Sequence, residues 1–333
     1  MDRRRNHRGQ PAKLNKNSTN LQLTFKQGWV KVGKLTSVKP FNQHVCNKGG
    51  QVLTMSQPTP TQPAASNNVA LSLDIPQVRD WAFQAGKIAL RYFDEVKSSK
   101  HSLETGPAGQ ADMEIEQYLI EQIRQVYPEH ALIGEEGGPS EAASSKSTIW
   151  TIDPLDGTTV FNQGMVEWGI ALGVLHQGQP AFGLFYMPAT QEMFYTAGPE
   201  TIGDTYGQPL RLVLRAEWGY KGFLATTASA HALFDINVRR TRAPGSVGVN
   251  LVYTARGTAA AAFLPKPCLW DIVPGAAILD RVGGVLRYLS GAPVDYLALL
   301  DGRSTPEPVL AGNPTLLAEL QQKISPRPKD SQG

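Results

Sequence analysis

Cysteine is scarce: Cys46 and Cys268 are the only two in 333 residues. That excludes a disulfide scaffold, and neither stands in the paired spacing of a zinc site. A reducing compartment is the default, so a cytoplasmic protein is expected. Long apolar runs are also missing. None reaches the ~18 to 20 residues that span a bilayer, because Gly, Pro or charge interrupts each one, so no membrane partner is expected. Charged residues make up 18%, while Gly (32) and Pro (24) are plentiful, which fits a loop-rich globular chain rather than a coiled coil or a collagenous one. Acids are nearly absent from residues 1–54, where Asp2 alone faces eleven Lys and Arg. The remainder holds 21 bases against 28 acids and is itself acidic.

The basic stretch has no sustained helical or strand period and little apolar surface to offset the entropy of ordering. Residues 1–70 are therefore expected to form a disordered leader and 328–333 a disordered tail, with one folded domain over 71–327. Three readings of the leader stay open: a targeting peptide, which would move the protein to a plastid, a nucleic-acid-binding arm, or an upstream stretch outside the natural product. Met55, followed by Ser56 and a Pro/Thr/Gln-rich segment, offers an alternative start.

From Asp74 the pattern sharpens. Ile75, Val78, Trp81, Ala82, Ala85, Ile88, Ala89, Tyr92, Phe93 and Val96 fall at three- and four-residue intervals, one apolar stripe on a long helix. Asp74 is placed as its N-cap and Pro76 in its first turn. A loop over Thr105–Gln110 and a second helix over Ala111–Tyr127 are expected next. A strand over Thr148–Ile152 should lead into Asp153. Short apolar runs at Trp168–Leu175, Ala181–Tyr186 and Met193–Ala197, parted by turn residues, predict an antiparallel meander. Leu210–Leu214, Phe223–Thr227 and Pro308–Ala311 are further predicted strands. Helices are expected at Val247–Ala255, at Ile272–Val282 and from Asn313-Pro314 to Lys323. This order indicates an α+β layered domain.

Carboxylates stand at the ends of several apolar elements. Glu135 and Glu136 follow Leu132-Ile133. Asp153 and Asp156 lie in Ile152-Asp153-Pro154-Leu155-Asp156-Gly157-Thr158-Thr159. Asp271 follows Leu269-Trp270. Pro154 pushes Asp153 away from helical angles, so the two Asp are expected on a tight turn with the Leu155 carbonyl between them, oxygen donors suited to Mg²⁺. Gly157 and Thr158 offer approachable N–H groups to an anion. A ligand-free surface turn explains the same pentapeptide, a solvated turn explains Glu135-Glu136, and a helix N-cap explains Asp271. Gathered in one place, however, these carboxylates form a cluster that is costly without cations.

Gly134-Glu135-Glu136, the Asp-Pro-Leu-Asp-Gly-Thr-Thr box, Arg242-Ala243-Pro244-Gly245-Ser246 and Trp270-Asp271 with Gly275 and Gly283-Gly284 together resemble the inositol monophosphatase family, over about Ile75 to Ile324. The resemblance implies a layered αβαβα fold of the type shared with fructose-1,6-bisphosphatase. It also implies a dimeric, lithium-sensitive, Mg²⁺-dependent phosphomonoesterase. By that resemblance Glu135, Asp153 and the Leu155 carbonyl are ligands of one Mg²⁺, and Asp153, Asp156 and Asp271 of a second. Thr158 and Asp112, with Glu135 assisting, orient and deprotonate the attacking water. Asp156, Gly157, Thr158, Gly245, Ser246 and Asp271 meet the substrate. Without the resemblance, Asp112 reads as a first-turn complement to the helix dipole and Ser246 as an N-cap.

The sequence also departs from the family pattern. Leu264 stands where inositol-using members carry a Glu, and Ala260 where an Asp is usual. Gly106-Pro107-Ala108-Gly109-Gln110 replaces the loop that serves a third metal site, Val160 replaces an Asn, and Pro274 takes a position normally small. Inositol monophosphate is the first substrate to expect. A sugar phosphate, histidinol phosphate or a 3′-phosphonucleotide is the alternative, the last kept open by Arg239, Arg240 and Arg242. A non-catalytic RNA- or protein-binding regulator is the reading from another class.

Overall fold

The computed structural model describes residues 71–98, 106–139 and 143–328. The leader expected over 1–70 lies outside them, as does the tail beyond 328.

Helix α1 (Ile75–Ser98) starts where expected. Asp74 caps it, its Oδ1 accepting from Gln77 N at 3.1 Å and its carbonyl from Val78 N at 3.0 Å. Val78, Trp81, Ala82, Ala85, Ala89 and Phe93 form its buried stripe. Helix α2 (Ala108–Val126) begins three residues before the expected Ala111. Residues 108–110, expected to be loop, are its first turn, with Ala108 N donating to Asn162 Oδ1 at 3.3 Å. Asp112 therefore lies beyond the first turn and is 3% exposed. This corrects the dipole reading, because a charge that merely complements a helix end sits in the first turn, in water.

An eight-stranded sheet follows. Its strands in chain order are β1 (Ala131–Gly134), β2 (Gly138–Pro139), β3 (Thr148–Asp156), β4 (Gly169–His176), β5 (Gln179–Met187), β6 (Glu192–Gly198), β7 (Thr201–Gly203) and β8 (Pro209–Leu210), and in space they run β2-β1-β3-β4-β5-β6-β7-β8. β1 lies parallel to β3 and the other pairs are antiparallel, so the meander is as expected. A short helix, α3 (Thr158–Asn162), links β3 to β4.

The tight turn expected at Asp153–Asp156 is not there. β3 continues to Asp156, and its register against β4 slips between Asp153 and Asp156. Such a slip admits Pro154 to an inner strand, since a proline that owes no ladder hydrogen bond is tolerated at a bulge.

The second half contributes β9 (Leu224–Ala225), α4 (Ala230–Leu233), β10 (Phe234–Ile236), β11 (Thr241–Arg242), α5 (Val247–Ala255), β12 (Ala261–Leu264), α6 (Leu269–Asp280), β13 (Val285–Tyr288), β14 (Val309–Gly312), α7 (Pro314–Gln321) and β15 (Ile324–Pro326). Five of these strands form a sheet in the order β11-β9-β12-β14-β13, and β10 pairs with β15. The strand expected over Leu210–Leu214 shrinks to Pro209–Leu210.

Three apolar clusters fill the spaces between layers. One lies between α1, α2 and the large sheet, one holds α5 and α6 between the two sheets, and one lies under α7. The result is the expected αβαβα sandwich. α6 sits close to the large sheet because Gly173 and Gly183 are paired across β4 and β5. A Cβ on Gly183 would collide with the Pro274 carbonyl oxygen, and one on Gly173 would come within 2.8 Å of Val273. This close seat fixes the start of α6, and with it Asp271, over the ends of the central strands.

Candidate active site

Five carboxylates named from sequence converge: Asp112, Glu135, Asp153, Asp156 and Asp271. Asp153 is buried at 2% exposure near the end of β3. Burial pushes its carboxyl well above the usual carboxylate range, and then so do Asp156, Glu135, Asp271 and Asp112, in that order. Glu135 stands on the turn after β1, and its carboxyl lies within hydrogen-bonding reach of Asp153. Burial raises it first, with Asp156, Glu136 and Glu116 adding to the effect. Asp271 also lies within hydrogen-bonding reach of Asp153. Burial and then the Asp156 charge push its proton affinity up to about 8. Asp112 is likewise pushed up to about 8, by burial and then by Glu135, Glu136 and Glu116, and its buried Oδ1 has no hydrogen-bond partner among the described residues. Among the described residues none of these acids joins an ion pair.

Asp271 is not an N-cap. Cys268 holds that place, and Asp271 at the third helical position accepts from Cys268 N at 2.7 Å, one half of a capping box.

Asp156 is held from one side by the start of α5. Its Oδ1 accepts from Val247 N at 2.9 Å, and its Oδ2 from Ser246 Oγ at 2.7 Å and from Gly248 N. These bonds oppose the upward push of burial. Ser246 also accepts from Val249 N at 3.0 Å, so its hydroxyl is both the α5 cap and a clamp on Asp156. Gly248 is needed for that approach, since a Cβ there would lie 2.6 Å from Asp156 Oδ2. Gly157 takes φ +101° and Gly245 φ +104°, left-handed values that favour glycine. Val160 packs against the bare face of Gly245. Thr158 Oγ1 donates to the Leu155 carbonyl at 3.3 Å.

One acid escaped the sequence reading. Glu116, 3% exposed on α2, accepts from Glu136 N at 3.0 Å and Gly137 N at 2.5 Å. It thereby holds the turn that carries Glu135. Gly134 and Gly137 make room for it, since a Cβ on either would come within 2.6 to 2.8 Å of its carboxyl. The signal was present: Asp112 and Glu116 are four apart, beside the buried Ile115 and Leu119, so both acids share a helix face that turns inward.

Among the described residues, no three Asp, Glu, His or Cys side chains stand as a ready cage for a metal ion. The carboxylates face one another around Asp153. As hard oxygen donors gathered without a basic partner, they suit a hard divalent cation in chemistry.

A profile of the inositol monophosphatase family matches residues 74–324. The chain belongs to this family. Inositol monophosphatase 1 of Homo sapiens is 31% identical over 243 residues, covering 67% of this chain and 82% of that protein. Inositol-1-monophosphatase of Bacillus subtilis is 29% identical over 232 residues, covering 67% and 83%. The Nus factor SuhB of Xylella fastidiosa is 26% identical over 257 residues, covering 73% and 91%. Among solved structures, inositol monophosphatase from Anabaena superposes with a TM-score of 0.61 at 22% identity, covering 75% of this chain and 94% of that one, a likeness of fold. Membership makes the chain a phosphoric monoester hydrolase of a metal-dependent family that acts on small phosphate substrates.

Proposed function

We propose that this inositol monophosphatase relative hydrolyses a small phosphomonoester with two Mg²⁺ ions, inositol monophosphate being the first substrate to test. The observation that carries the reading is the position of Asp153, whose carboxyl is acted on by Asp156, Glu135, Asp271 and Asp112 together. Glu135, Asp153, the Leu155 carbonyl, Asp156 and Asp271 would hold the ions. When bound, these supply Lewis-acid activation of water and charge stabilisation at the leaving oxygen.

The rest falls to the protein. Asp112, buried on α2 with its Oδ1 lacking a hydrogen-bond partner among the described residues, would be the acceptor for the proton of the attacking water. Thr158, whose hydroxyl donates to Leu155, keeps its oxygen lone pairs free to orient that water. The N–H groups of Gly157 and Thr158 would take the phosphate oxygens, with Gly245 and Ser246 on the substrate side. Ser246 would act there through its clamp on Asp156. A cytoplasmic homodimer, with the domain over 71–327, completes the reading.

The test is phosphate release from inositol, sugar, histidinol and adenosine 3′,5′ phosphate esters with Mg²⁺, and with Li⁺ added. Asp156→Asn and Asp271→Asn should each abolish turnover while circular dichroism stays unchanged. Undiminished turnover in both would overturn the ion assignment. The SuhB relatives and the basic residues 1–54 favour one second reading, an RNA- or protein-binding regulator. Deleting 1–54 should leave phosphate release intact if the enzyme reading holds.

A further inference from the structure

A cavity of about 220 Å³ adjoins the carboxylate cluster and shares Asp271 and Val247 with it. Leu233, Val247 and Leu264 give it apolar walls, Thr227 and Ser229 bring two hydroxyls, and Lys266 brings the one basic side chain. Lys266 is exposed and joins no ion pair among the described residues. Its backbone is held on both sides. Pro265 and Pro267 flank it and both line the cavity. A residue before proline is confined to extended angles, and the Pro267 carbonyl is tied to Thr305 N at 2.9 Å.

We propose that this cavity receives the alcohol part of the phosphomonoester, and that the alcohol has a compact apolar body ending in a second anionic group held by Lys266. The proposal rests on the phosphatase reading above and names its substrate class. A ring bearing hydroxyls on every side would meet the Leu and Val walls without partners for them, and an unpaired hydroxyl taken out of water is costly. An apolar body loses nothing there. An oxyanion at its far end forms a charge-assisted bond with the ammonium.

Two ester probes decide the matter: phenyl phosphate and 4-carboxyphenyl phosphate, assayed with Mg²⁺ on the wild type, Lys266→Arg and Lys266→Glu. Comparing variant with wild type on each ester cancels the intrinsic reactivity of the two leaving groups. Charge reversal should lower kcat/KM for the carboxylated ester by about tenfold more than for phenyl phosphate, the factor expected for one charge-assisted bond. Lys266→Arg should retain the preference. Equal effects on the two esters overturn the proposal and leave the phosphatase reading standing. Absence of phosphate release from either ester and from the wider panel overturns the phosphatase reading instead. In that event calorimetric binding of benzylphosphonate and 4-(phosphonomethyl)benzoate still reads the pocket. Tighter binding of the carboxylated compound that is lost in Lys266→Glu supports the proposal, and equal binding overturns it.

Discussion

Ser246 Oγ lies 2.7 Å from Asp156 Oδ2, so one hydroxyl joins the end of β3 to the cap of α5. Ser246→Ala removes the cap acceptor from Val249 N and a donor from a buried carboxylate at once. It should cost about 1 to 2 kcal/mol of stability in urea unfolding. A midpoint indistinguishable from the wild type would show that the hydroxyl holds neither group.

Glu116→Ala takes the acceptor from Glu136 N and Gly137 N and should release the turn that carries Glu135. A loss of about 2 kcal/mol is expected. Under the proposed function it also brings about tenfold weaker Mg²⁺ binding by calorimetry, as is usual when a group supporting a ligand is lost. Glu116→Gln, which keeps one acceptor oxygen, should fall between. Wild-type Mg²⁺ affinity in Glu116→Ala would separate Glu116 from the site.

The carboxyls of Asp112 and Asp271, both raised to about 8, give the metal-free protein a definite pH dependence. A group whose proton affinity is higher in the folded chain stabilises it fully below the ordinary carboxylate value. That contribution is lost as pH rises through the folded value. Metal-free protein should therefore lose thermal stability steadily between about pH 4 and 8. Millimolar Mg²⁺ should restore it most at the upper end. A metal-free melting temperature that rises across that window would contradict the burial of these groups.

Two glycine-to-alanine changes should move stability in opposite directions. Gly183→Ala drives a methyl into the Pro274 carbonyl and should cost at least about 3 kcal/mol, displacing α6 from the sheet. Gly109→Ala meets open space in α2 and should add about 0.5 to 1 kcal/mol. Thermal melts of the pair check both signs.

The large sheet and its covering helices were legible because their burial is periodic. The α1 stripe and the β4 to β6 meander follow helical and strand spacing residue by residue. β12, by contrast, is Ala261-Ala262-Phe263-Leu264, buried on both faces, so its sequence has no alternation to read. At Pro154 the sequence argued for a turn, because nothing local reveals that β4 would slip its register to keep the strand going. Glu135, Asp153, Asp156 and Asp271 could be named in advance because each ends an apolar run. Glu116 shared the inward face of Asp112, but its role could not be read, since its partners are backbone groups about twenty residues away, and Lys266 drew no notice because its surroundings come from separate segments of the second half.

The two sheets divide the work. Glu135, Asp153 and Asp156 hang from the eight-stranded sheet, while Thr227, Ser229, Leu233 and the 264–267 stretch lie on or beside β9, α4 and β12 of the second half. Only Val247 and Asp271, at the heads of the two sandwiched helices, serve both. A lineage built this way can remodel the chamber for a new alcohol one wall at a time and leave the apparatus that cleaves the ester untouched.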